Sequence, residues 1–121
     1  MTGKQRVFDT FDGIKTDKLP WVPFTGVHAG KLLGLGARKV STDTDALVQA
    51  ALEVNRLYHP DGRPVMFDLQ IEAEILGCDM VWSDDGPPSV SSHPLAETTE
   101  IPTRIPSPQE GRLAMELEAT R

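Results

Sequence analysis

The stretch from Asp43 to Tyr58 constrains this chain more than any other. Leu47, Ala50, Ala51, Val54, Leu57 and Tyr58 recur along one face at helical spacing, and Pro60 and Gly62 end the pattern. Thr42-Asp43-Thr44-Asp45 opens it with a hydroxyl cap and a carboxylate three residues on. The spacing predicts a helix over 43–58. A helix with so wide an apolar stripe must bury it against other elements, so the rest of the chain has to supply the cover. Directly beyond the stop, Arg63-Pro64-Val65-Met66-Phe67-Asp68 reads as a buried strand that ends in an acid.

The remaining elements are shorter. Val7, Phe11 and Ile14 are helically spaced and predict an amphipathic helix over 4–14, with Gly13 near its end. Residues 15–20 form a polar connector closing at Pro20. Trp21-Val22-Pro23-Phe24-Thr25 has strand character, and Pro23 restricts it to an edge or a strand end. Gly26, Gly30, Gly34 and Gly36 make residues 26–37 a loop or a poorly capped short helix. Leu69, Ala73 and Leu76 predict a helix stopped by Gly77, and Met80-Val81-Trp82 a second short strand. Prolines at 87, 88, 94, 102, 106 and 108 make residues 84–108 rich in turns. A last helix is expected over Gln109–Arg121, with Ser107 as cap and Pro108 in the first turn. It aligns Leu113 with Leu117 and has nothing obvious to pack on. The alternation of helix and strand is an α/β pattern.

Composition excludes several classes. The net charge of −6 argues against binding a phosphate backbone, and no Lys/Arg cluster interleaved with aromatics offsets it. The apolar runs fall far short of the ~20 residues needed to span a bilayer, and the N-terminus has no continuous apolar signal core. The single cysteine, Cys78, cannot form an internal disulfide, so a reducing compartment and a cytoplasmic location are expected. Cys78 itself reads as a buried small residue and Asp84-Asp85 as a turn. No phosphate-binding glycine loop is present, and His28, His59 and His93 stand far apart with no cysteine at ligand spacing.

Three stretches taken together resemble the uroporphyrinogen decarboxylase superfamily. They are Leu19 to Lys31, with its Ala29-Gly30-Lys31 loop, then Phe67-Asp68 to Leu76-Gly77, then Gly86-Pro87-Pro88-Ser89-Val90. The ending from Pro108 to Thr120 looks like the helix that follows that turn. The resemblance runs over nearly the whole chain. It implies an α/β fold that is the N-terminal part of a (β/α)8 barrel, incomplete in this chain, because a full barrel needs ~250 residues. Residues 1–121 are then one partial domain holding the first helices and about two strands.

The superfamily has two branches. One decarboxylates uroporphyrinogen without a cofactor. The other passes methyl groups from corrinoid proteins to thiols such as coenzyme M, using zinc bound downstream in the barrel. The resemblance thus implies a tetrapyrrole or corrinoid substrate. It implies a carboxy-lyase or a corrinoid-dependent methyltransferase as the enzyme class. Zinc and a corrinoid partner belong to a full-length methyltransferase-type homologue, with no cofactor in this chain. The isolated chain is expected to be inactive and to self-associate through an unpaired strand edge. The competing reading is a noncatalytic α/β module that binds a ligand or a partner.

Four residues are carried as site candidates. Asp68 ends a predicted strand, where barrel enzymes place catalytic groups; the family's matching aspartate lies beside the tetrapyrrole's pyrrole NH groups, so Asp68 is expected to face an open cleft. It reads equally as a cap for the helix opening at Leu69. His28 and Lys31 flank the loop that in decarboxylases supplies basic groups to substrate carboxylates. The arginine expected just before it is replaced by Val27-His28, and neither reproduces its bidentate fork. That departure favours the methyltransferase-like branch. Glu72 and Glu74 point to different sides of a helix, and Glu74 is taken as the substrate-binding candidate.

Overall fold

The structure, a computed structural model, describes residues 1–121. Helix α1 spans Gly3–Phe11, and Thr2 caps it by accepting the Gln5 N–H at 3.2 Å. Three helices follow: α2 His28–Lys31, α3 Ala37–Thr42 and α4 Thr44–Tyr58. Asp43 serves both as the C-terminal residue after α3 and as the cap of α4, accepting the Ala46 N–H at 2.8 Å. His59 closes α4 in the left-handed conformation, with φ of 47°. Helix α5 covers Ile71–Ile75, strands β1 (Met80–Val81) and β2 (Ser89–Val90) form an antiparallel hairpin, and α6 covers Gly111–Ala119.

The core lies around α4, whose apolar stripe is buried as its spacing demands. Leu47, Ala50 and Val54 meet Val40 of α3 and Ala29 of α2. Leu32, Leu35, Val65, Met66, Met115 and Ala119 pack on this group from the edges. The helices approach so closely that a Cβ on Gly30 would overlap Val40 Cγ2 and come within 3.1 Å of the Leu35 carbonyl.

Several expectations fail here for identifiable reasons. The runs 21–25 and 63–68 form no ladder, and the second bends at Val65, because no strand lies beside either to pair with it. They touch instead through the Phe24 and Phe67 rings, with centroids 5.0 Å apart, and Asp61 N–H donates to the Trp21 carbonyl at 2.9 Å. The only sheet is the hairpin, in which Met80 faces Val90 and Val81 faces Ser89. Its pairing is antiparallel, whereas neighbouring barrel strands are parallel. Strand β2 and helix α3 were not anticipated.

The faces of three helices also differ from their patterns. Phe8 and Phe11 of α1 are exposed, and its buried residue is Arg6. Leu69 and Leu76 are exposed while Ile71 is buried in α5. In α6, Arg112, Met115 and Ala119 turn inward and Leu117 outward. This helix packs on α4, contrary to the expectation that nothing would receive it. Ser107 does not cap it: Glu110 holds that position, and Ser107 N–H donates to Glu110 Oε1 at 2.6 Å in the turn before.

Candidate functional site

Asp68 sits at the end of the 63–68 segment, just before the bend that leads into α5. Its Oδ1 accepts the Gln70 N–H at 2.8 Å in a side-chain turn ahead of the helix; α5 starts two residues later than expected, with Gln70 at the cap position and no side-chain cap bond, so Asp68 does not cap it. Its Oδ2 is held by Arg112 Nη1. The Asp68 side chain is only 3% exposed and lines none of the cavities described below, so it does not face an open cleft. Burying a carboxylate this deeply requires a paired cation, and Arg112, itself 9% exposed, is that cation.

Arg112 is the hub of the cluster. Its Nε donates to Glu74 Oε2 at 2.5 Å, which brings Glu74 into the same group as Asp68. Its guanidinium carbon lies 5.0 Å from the centre of the Trp82 ring, and Arg38 approaches that ring at 5.8 Å. Burial works against its charge, but the hydrogen bonds it donates to Asp68 and then to Glu74 prevail and hold its pKa above the ordinary arginine value. Two of the three buried side-chain polar atoms without partners belong to this cluster, Arg112 Nη2 and, one helical turn on, Glu116 Oε1; the third is Ser41 Oγ in α3. Burial, and next the charge of Asp68, pushes the Glu116 carboxyl above its usual range. The cluster therefore presents an uncommitted donor beside a carboxyl group that holds its proton more tightly than an exposed one.

The other candidates lie elsewhere. His28 Nε2 is 3.5 Å from the Tyr58 hydroxyl and borders a cavity of about 280 Å3 with Trp21, Pro23, Phe24 and Thr25. Trp21 and Tyr58 meet edge to face there, with centroids 6.4 Å apart. Lys31 is half exposed and reaches only Asp85, at 3.9 Å, a contact of little energetic weight. No hydrogen bond or ion pair joins His28 or Lys31 to the Asp68 cluster. No group of three or more His, Cys, Asp or Glu side chains is placed to hold a metal ion, so these residues do not fit the zinc of the methyl-transferring branch.

Arg112, Glu116 and Trp82 were not singled out in the sequence. The signal was present in the inward spacing 112, 115, 116, 119 of α6. It was masked by Leu113 and Leu117, which are apolar and also helically spaced.

Comparison with known proteins bears on this arrangement. Residues 2–121 match the family model described as uroporphyrinogen decarboxylase (URO-D). Among solved structures, the chain is similar to a methyltransferase from Methanosarcina mazei, with 26% identity and a TM-score of 0.79. The match covers 98% of this chain and 37% of that one, so the chain spans little more than a third of the methyltransferase's length. No curated protein matches the sequence.

Proposed function

This chain belongs to the uroporphyrinogen decarboxylase family, and on that premise we propose that it is the N-terminal portion of a barrel protein of the methyltransferase-like branch. The observation that carries the branch is Val27-His28 standing where a decarboxylase places an arginine, with Lys31 the only cation of the loop. The likeness to a methyltransferase agrees with it. In this reading His28 and Lys31 are the groups the loop offers to substrate, while Asp68, held under Arg112 together with Glu74, fixes the segment that leads into α5. The substrate is a corrinoid or another tetrapyrrole.

The coverage of Asp68 by Arg112 favours a second reading, a noncatalytic module that binds a partner, with Asp68 purely structural. The exposed apolar residues Trp21, Phe24, Phe67 and Leu69 give either reading a surface for self-association.

Titration with hydroxocobalamin and with uroporphyrin, followed by Trp21 and Trp82 fluorescence, tests the proposal. Saturable binding with a preference for the corrinoid supports it. A preference for uroporphyrin moves the chain to the decarboxylating branch, and binding of neither by the folded protein leaves the noncatalytic module. Assays with uroporphyrinogen, and with a methylated corrinoid plus a thiol, are expected to show no turnover by this chain alone.

A further inference from the structure

A separate cavity, of about 570 Å3, lies where the C-terminal ends of α4 and α6 meet, bordered by Asn55, His59, Gly62, Arg63 and Thr120. Arg63 and Asp68 stand at the two ends of the 63–68 segment, and no hydrogen bond or ion pair joins them.

Arg63 is only partly committed. Its Nε donates to Asn55 Oδ1 at 3.0 Å, while Nη1 and Nη2 have no protein acceptor and the side chain forms no ion pair. It could have served simply to neutralise the carbonyl ends of the two helices, yet it donates to no carbonyl at either end. The main-chain N–H groups of Gly62 and Arg63 are also without backbone acceptors. The one carboxylate at the border, Asp61, is 6% exposed and already engaged by Arg6 and the Trp21 N–H. Among its lining side chains the cavity therefore offers donors and a positive charge with no free carboxylate to neutralise it. Burial lowers the pKa of Arg63, with no ion pair to offset it.

We propose that this cavity binds a small oxyanion, a carboxylate or a phosphate, with the two free Nη groups of Arg63 as its bidentate contact. The site is independent of the Asp68 cluster and of the function proposed above.

The test is a nuclear magnetic resonance titration of the whole chain with sodium phosphate and, separately, sodium succinate, each against sodium chloride at equal ionic strength. Saturable amide shifts confined to His59, residues 61–63 and residues 119–120 are expected, and the anion giving them identifies which oxyanion class the site takes. R63Q should weaken binding about tenfold or more, whereas R56Q, which removes an exposed cation elsewhere, should not. Absence of saturation with both anions, saturation centred on other residues, or unchanged affinity in R63Q overturns the proposal. Should R63Q fail to fold, the location and saturation of the wild-type shifts decide it.

Discussion

Two arginines, Arg6 and Arg112, are buried to nearly the same degree, with side chains 7% and 9% exposed, and each grips two carboxylates from distant parts of the chain. They differ in how completely the grip is closed. Arg6 spends all three nitrogens: Nε and Nη2 on Asp17, Nη1 on Asp61, and Nη2 also on the Met1 carbonyl at 3.2 Å. Asp61 in turn accepts the Trp21 N–H at 2.9 Å and has Lys18 at 4.0 Å. Arg112 leaves Nη2 unpartnered, spends one face on Trp82, and stands beside a third carboxyl group, Glu116, that also lacks a partner. A closed set of this kind ties α1 to the chain after α4 and has nothing left to offer. An open one retains polar capacity that burial makes costly, and such capacity is where a site is to be sought.

The variant R112A gives the largest expected effect. It strands Asp68 and Glu74 without their cation and should lower stability by about 3 kcal/mol or more, read from the urea midpoint. The triple variant R112M/D68N/E74Q should recover most of that loss, since no buried charge is left unpaired. An R112A protein as stable as wild type would mean that the cluster does not hold α6.

R6A should cost less. Asp17 is half exposed and can return to water, and Asp61 keeps the Trp21 N–H. The loss should be local, with faster hydrogen exchange in α1 and around residues 17–21 and little change in α4. A fall as large as that of R112A would erase the distinction between the two clusters.

The smallest effect is on pH dependence, and its sign separates the clusters. The hydrogen bond from Arg6 holds Asp17 well below the usual carboxylate range, and the Trp21 N–H, then Arg6, lower Asp61. Their stabilisation is complete above the ordinary carboxylate range and is lost as pH falls through the depressed values. Glu116 is raised, so its folded form loses stability as pH climbs from the ordinary glutamate range through the raised value. E116Q should therefore match wild type in acid and become the more stable protein toward neutral pH, as measured by thermal midpoints. An advantage that grows toward acid instead would show that Glu116 is charged and paired in the fold.

Much of the helical frame was legible in the sequence. The stripe on 43–58 and its end before Pro60 are local, and α4 realises both; the cap is the Asp43 carboxylate rather than the expected hydroxyl of Thr42, which lies in α3 and donates to the Arg38 carbonyl. Asp68 was legible as a residue that binds back to the chain just after it, since Gln70 is only two positions away, but the helix it was expected to cap opens later, at Ile71. The family was legible in the order of its motifs, and the family model spans residues 2–121. The runs 21–25 and 63–68 were misread as strands because β propensity describes how side chains suit a pleated surface, and a strand exists only if a neighbour supplies the other half of each hydrogen bond.

Local patterns, in short range along the chain, settled where α4 begins and ends, which of its faces is buried, and that Asp68 would bind back to the chain just ahead of α5. The identity of Asp68's cation was settled only in three dimensions. Arg112 lies 44 positions away, on a helix whose own pattern pointed to Leu113 and Leu117. A guanidinium is buried only where folding brings carboxylates to meet it, because desolvating it alone costs more than the helix could return. Spacing along one helix carries no record of charges on another, so the inward face of α6 was decided by Asp68, Glu74 and Trp82 rather than by its leucines.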